Sequence, residues 1–356
     1  MNAQQLDALS AERQARVDAV LDRFFSLAKN RAAVFGTEYV RLWTTLESSA
    51  SGGKRFRPRM VMTSYEGLGG DDPEAAAYVG AAFELLHTAL IVHDDVIDRD
   101  FTRRGIPNVS GSYRDIATTA GVAIPAAEHR GLSVAVIAGD LALFNAYRLI
   151  DRSGVTGDVR ERLLEIMDDA LFASAAGELI DVDLSVGAGI PDVEDVLTME
   201  RLKTAVYSFE CPLQAGAVLA GAPETVVEEL GRFGREIGIA YQIVDDLLGV
   251  FGHESETGKS TIGDLREGKR TVLIAHAMAQ PEWSSIRHLV GKPDITTAEA
   301  AEVRRVLEEC GSRQYTADLA RQHAHRAVAN LREHDMADAL TTELVAVVDT
   351  VLGRVR

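Results

Sequence analysis

The sequence predicts an all-α fold in a single domain, and three observations carry that expectation. Apolar residues recur at helical spacing from end to end, with no convincing run of alternating strand pattern. The 356 residues are 46% hydrophobic and 26% charged, the balance of an ordinary globular chain with a sizeable core. No low-complexity linker or internal repeat divides the chain, so residues 1–356 read as one helical domain.

The elements follow in order. Asp72, Pro73 and Glu74 form an N-cap, a first-turn proline and an early acid, opening a long apolar helix that runs to about Asp98. Arg99 to about Arg130 is polar and punctuated by Gly105, Pro107, Gly111, Gly121 and Pro125, which predicts a loop with one short helix. A second apolar helix is expected from Leu132 to Arg152. A third runs from Asp158 to about Val186, stopped by Gly187, Gly189 and Pro191. Two helices separated near Pro212 lead to Pro223, which starts a helix ending around Phe251. His253 to Lys269 is polar and glycine-punctuated, and shorter amphipathic helices follow from Arg270.

The net charge of −17 argues against general nucleic-acid binding, which needs a basic surface, but it leaves room for a local basic pocket. Cys211 and Cys310 lie far apart in no metal-ligand spacing, which fits a reducing cytoplasm better than a disulfide framework. The N-terminus lacks the basic start and apolar run of a signal peptide. No stretch of 18 apolar residues is free of charge, so no membrane-spanning helix is expected.

Three clusters carry chemistry. His93-Asp94-Asp95-Val96-Ile97-Asp98 closes the apolar helix, and Asp94 and Asp98, four apart, share one face with Asp95 beside them. Like charges repel there and oppose the helix dipole, which is the wrong local chemistry unless a cation sits among them. Hard carboxylate oxygens suit Mg²⁺, and Arg103-Arg104 supplies forked donors for phosphate oxygens. A solvated acidic helix end would show the same acids without the arginines. Gln242-Ile243-Val244-Asp245-Asp246 is a second such cluster on an apolar helix, trailed by Lys259, Asp264, Lys269 and Arg270. Near the start, Gly52-Gly53-Lys54-Arg55-Phe56-Arg57-Pro58-Arg59 concentrates cations before a helix N-terminus, an arrangement that favours an anion. His87 lies two turns before Asp94 and is either a phosphate ligand or a buried, hydrogen-bonded histidine. Lys203-Thr204 sits in an apolar neighbourhood, where an ordinary surface lysine is the plainer reading.

These motifs resemble those of the trans-isoprenyl diphosphate synthases, or polyprenyl synthetases, most closely the geranylgeranyl diphosphate synthases. The likeness covers about Gly52 to Thr271 through GGKRFRPR, HDDVIDRDFTRRG, Lys203-Thr204, YQIVDDLLGVFG and TGKSTIGDLREGKRT. It implies a helical bundle around a central apolar cavity and a homodimer. Isopentenyl diphosphate and an allylic diphosphate would be the substrates, with Mg²⁺ as cofactor, three ions per site. By position, Asp94, Asp95 and Asp98 would hold Mg²⁺ on the allylic diphosphate, and Asp245 a further ion supported by Asp246. Arg103, Lys203 and Lys259 would neutralise that diphosphate. Gly53, Lys54, Arg57, His87 and Arg104 would bind isopentenyl diphosphate, and Lys269 would help close a loop. Gln242 and Thr204 would point dipoles toward the developing carbocation.

One departure stands out: the second motif reads Asp245-Asp246-Leu247-Leu248-Gly249, with glycine where the family usually has a third aspartate. For product length, the residue five before Asp94 is Ala89, too small to form a floor, beside Leu90, with Leu86 and Phe83 one and two turns deeper. That favours a C20 product over a strict C15, with C25 or longer as the alternative. A class I terpene cyclase would leave the Lys54–Arg59 knot unexplained. A non-catalytic synthase subunit has only Gly249 in its favour.

Overall fold

A computed structural model of the chain describes residues 3–53, 55–103, 105–187, 189, 191–252, 261–333 and 336–354. Helices dominate: α1 (Ala3–Ala32), a 3-10 turn (Ala33–Phe35), α2 (Thr37–Ala50), α3 (Phe56–Gly67) and α4 (Pro73–Ile97). Then come β1 (Thr102–Arg103), β2 (Ile106–Pro107), α5 (Val109–Thr119), α6 (Ile124–Asp151), α7 (Gly157–Val186) and α8 (Val193–Glu200). A π-helix (Arg201–Glu210), α9 (Cys211–Leu219) and α10 (Glu224–Phe251) follow. The C-terminal series is Gly263–Glu267, Val272–Met278, Trp283–Ile286, Thr297–Glu309, Ser312–Glu333 and Asp338–Gly353.

The all-α expectation holds, with local differences that have physical reasons. α4 begins as the sequence indicates, its Asp72 side chain accepting from the N–H groups of Glu74 and Ala75. Inside the expected loop, Thr102 and Arg103 pair antiparallel with Pro107 and Ile106, around Gly105 at φ 77°. Strands of two residues are too short to show alternation. α6 starts at Ile124 rather than Leu132, because Pro125 stands in its first turn and opens the helix instead of ending the loop. Near Pro212 the chain does not leave helical structure. The preceding turns widen to π geometry, the N–H of Cys211 reaching the carbonyl of Val206.

The chain packs into two compact units, Met1–Met167 with Pro212–Pro223, and Asp168–Cys211 with Glu224–Arg356. In the first, α4 is the central helix and packs against α6, α3 and α1. Small residues allow the α4–α6 approach: Ala81, Ala82 and Ala89 on one helix, Ala135, Ala138 and Ala142 on the other, all without exposed surface. Gly139 of α6 is required there, since a Cβ would fall 2.2 Å from Nε2 of His93. By length and composition alone, α4 and α6 could each cross a membrane, which the sequence reading did not anticipate. α4 spends that surface on the core, its apolar window 78% buried, whereas that of α6 is 39% buried.

In the second unit, α10 packs against the π-helix and against Ser312–Glu333. Gly234 and Gly238 let backbones meet there; a Cβ on either would lie 2.6 Å from Glu210 Cα or Ala205 Cβ. A separate apolar cluster, including Leu247, Leu265, Leu273, Ile286 and Val303, anchors the C-terminal helices beneath the end of α10.

Candidate active site

In the first unit the end of α4 sorts its acids by exposure. Asp95 points inward and is 3% exposed, Asp94 is half-buried, and Asp98 caps the helix in the open. Arg103, on β1, folds back over them. Its Nη2 donates to Asp95 at 2.6 Å and to Asp94 at 3.2 Å, and its Nε to Asp95 at 3.0 Å. The short hairpin explains that reach, since it returns the chain directly after the helix. Burial pushes the Asp95 carboxyl up to about 6, against the pull of Arg103. Asp94 and Asp98 therefore present the accessible oxygens, and Asp95 is committed to the arginine.

The basic knot divides. Gly52 and Gly53 adopt φ 79° and 83°, left-handed backbone that glycine takes without steric cost. Arg55, at φ 48°, turns inward and is 8% exposed, bonding Glu84, Asp18 and the carbonyl of Ala50. It is a structural cation, a distinction the sequence did not reveal. Arg57, on α3, and His87, on α4, are half-buried, and their helices pack together. Lys54, Arg104 and Lys259 lie outside the described residues.

Of the chain-length positions, Phe83, Leu86 and Ala89 have no exposed surface, whereas Leu90 is half-buried. At 100° per residue, Leu90 lies about 40° from Asp94 around the helix and Ala89 about 140°. Leu90 thus shares the side of the acids, and Ala89 sits in packed core.

The second unit holds the other cluster. Asp245 is half-buried and receives Arg354 Nη2 at 2.9 Å. Asp246 is 8% exposed and receives the Gln242 amide at 2.8 Å. Behind Asp246 lies Glu200, 1% exposed, with neither carboxylate oxygen meeting a donor in normal hydrogen-bond geometry. Burial raises both carboxyls, that of Asp246 to about 7, and that of Glu200 well above its ordinary range. Lys203 Nζ bonds Asp181 at 2.6 Å and Glu178 at 2.9 Å. The π-helix backbone crosses Gly177 there, whose Cβ would fall 2.2 Å from the Lys203 backbone nitrogen. Thr204 is half-buried on the same π turn. Lys269 is 47% exposed and pairs with Glu267 at 3.3 Å.

Sequence reasoning missed Glu178, Asp181, Glu200 and Arg354. Each lies in an unremarkable local context, and only the fold brings it to a motif residue. Among the described residues no three His, Cys, Asp or Glu side chains converge to hold an ion unaided. The donor set still fits Mg²⁺, which takes one or two carboxylates and completes its shell with water and phosphate.

A family model described as polyprenyl synthetase matches residues 41–310. The chain is 31% identical over 287 residues to a geranylgeranyl diphosphate synthase of Saccharolobus solfataricus, covering 80% of each. It is 32% identical over 311 residues to a geranylfarnesyl diphosphate synthase of Aeropyrum pernix, covering 86% of this chain and 92% of that one. Among solved structures, a geranylgeranyl pyrophosphate synthase of Corynebacterium glutamicum, complexed with isoprenyl diphosphate and magnesium, matches with TM-score 0.89 at 28% identity. That match covers 99% of this chain and 100% of the other.

Proposed function

The chain belongs to the polyprenyl synthetase family, and from that premise we propose that it makes the C20 geranylgeranyl diphosphate. It is a prenyltransferase that joins an allylic diphosphate to isopentenyl diphosphate head to tail, giving a longer trans-prenyl diphosphate. The observation that carries this reading is the grouping of Asp94, Asp98 and Arg103. Accessible carboxylates stand beside a forked cation that already bridges Asp94 and Asp95.

Magnesium, three ions when substrate is bound, would be held by Asp94 and Asp98 at one cluster and by Asp245 at the other. When bound it stabilises the charge of the departing diphosphate. The protein's own residues do the rest. Arg103 can exchange its carboxylate partners for phosphate oxygens, which match its fork equally well. Lys203 holds Asp181 and Glu178 in ion pairs that an arriving anion can replace. Arg57 and His87 take the diphosphate of isopentenyl diphosphate. Apolar side chains such as Leu90 exclude water, which would quench an allylic cation. Among the described residues no side chain is placed as a base, and the leaving diphosphate accepts the proton.

The enzyme acts as a homodimer through α6, where Ile137 and Phe144, seven residues apart, are 51% and 64% exposed. Its location is the cytoplasm, which suits the free thiols of Cys211 and Cys310. The test is incubation with isopentenyl diphosphate, Mg²⁺ and each of the C5, C10 and C15 allylic diphosphates, followed by sizing of the dephosphorylated alcohols. A C20 alcohol that vanishes with EDTA is expected. A C25 alcohol would favour the kind of product named for the Aeropyrum relative, and no elongation with any primer would refute the assignment.

A further inference from the structure

The chain leaves α4 through a turn that side chains seldom enter. Arg99 stands at φ 56°, left-handed backbone that a residue with a Cβ rarely adopts. The N–H of Asp100 closes the turn on the carbonyl of Asp95 at 2.8 Å. Glycine would hold that conformation without cost, whereas arginine needs support from outside the turn. The direction in which β1 starts is set here, and with it the reach of Arg103 back to Asp94 and Asp95.

That support comes from the start of α5. Asn108 is 7% exposed, and its side chain bonds in two directions. The side-chain oxygen accepts from the N–H of Gly111 at 2.8 Å, which caps α5. The amide Nδ2 donates to the carbonyl of Asp100 at 2.9 Å, and the backbone N–H of Asn108 donates to the carbonyl of Phe101 at 3.3 Å. One residue thus ties both peptides after the strained turn to the helix on the far side of the hairpin. The approach is close. A Cβ on Gly111 would lie 1.9 Å from the Phe101 oxygen, and the Arg114 guanidinium, one turn further along α5, stands 4.4 Å from the Phe101 ring centre. α5 is itself fixed, since a Cβ on Gly131 of α6 would lie 2.3 Å from the Ser110 oxygen.

We infer that Asn108 is a positioning residue for diphosphate binding: its amide anchors the foot of the β1–β2 hairpin and so aims Arg103 along the acids of α4. The inference rests on the functional reading above and adds to it a residue that acts through Arg103. A cap needs only the side-chain oxygen, which serine supplies as well as asparagine. The donor half of the amide has no part in capping, and it is spent on Asp100. Serine at 108 would therefore keep the cap and lose the anchor. The forked donors of Arg103 are directional, so a hairpin that swings even slightly no longer presents both to a phosphate.

The test is a double-variant cycle on affinity for inorganic pyrophosphate with Mg²⁺ present, read by isothermal titration calorimetry. Wild type, Asn108→Ser, Arg103→Met and the double variant are compared, with melting temperatures measured alongside. Asn108→Ser should weaken binding about tenfold, the worth of one hydrogen bond to a charged group. In the Arg103→Met background the same change should cost no more than about twofold, because the residue it aims is gone. Asn108→Thr, a second capping residue without the donor, should match Asn108→Ser. Asn108→Ala loses the cap as well, so it should melt lower than either with no further loss of affinity. Wild-type affinity in both Asn108→Ser and Asn108→Thr would overturn the proposal, as would an equal loss with and without Arg103; either result would leave Asn108 a helix cap. An Arg103→Met protein that binds pyrophosphate as tightly as wild type would instead remove Arg103 from the functional reading, and this inference with it.

Discussion

Replacing Arg55 by Met would leave Glu84 buried without its cation. The guanidinium bonds Glu84 Oε1 at 2.9 Å, Asp18 Oδ1 at 2.9 Å and the carbonyl of Ala50 at 2.7 Å. The Arg55 and Glu84 side chains are 7% and 8% exposed, and Glu84 Oε2 already lacks a partner. Removing one member of a buried pair costs about 3–5 kcal/mol, because the remaining charge has neither water nor a counter-ion. At about 2 °C per kcal/mol for a chain of this size, Arg55→Met should melt on the order of 6–10 °C below wild type. The double variant Arg55→Met, Glu84→Leu removes both charges and should recover most of the loss. Differential scanning calorimetry beside KM for isopentenyl diphosphate separates the roles. Arg57→Met should raise that KM and leave the melting temperature near wild type. A stable Arg55→Met with a raised KM would refute the reasoning and make Arg55 a substrate ligand.

Other outcomes test separate features. Ala89→Tyr should shorten the main product and also cost about 1–3 kcal/mol of stability, since Ala89 is fully enclosed; an unchanged product would show that the growing chain runs elsewhere. Asp246→Asn should raise the melting temperature of EDTA-treated protein at pH 8. The folded carboxyl sits near 7 against an ordinary 3.8, so its ionisation weighs against folding increasingly between those pH values, and the gain should vanish near pH 4. A gain that persists at pH 4 would show that charge is not the cause. Phe144→Glu should turn a dimer into a monomer by light scattering, and an unchanged mass would move the interface off α6.

Much of this was legible locally. Helical periodicity gave the fold class, and Asp72-Pro73 gave the start of α4, because capping is settled within one turn of chain. Spacing of four placed Asp94 and Asp98 on one side of a helix, and the same arithmetic grouped Gln242 with Asp246. What failed locally failed for lack of length or context. The hairpin after α4 was too short to alternate, and Pro125 reads equally as loop or helix start until its neighbours are known.

The sequence by itself determined which residue types are available for metal and diphosphate, and on which helices they lie. The tertiary structure decided which of them are spent on one another. Arg55 finds Glu84, Lys203 finds Asp181, Arg354 finds Asp245 and Asp264 fills the space at Gly249. Periodicity reports only neighbours within a few residues along the chain. Ion pairs and vacancies depend on backbones brought together across 15 to 109 positions, and that approach is fixed by packing.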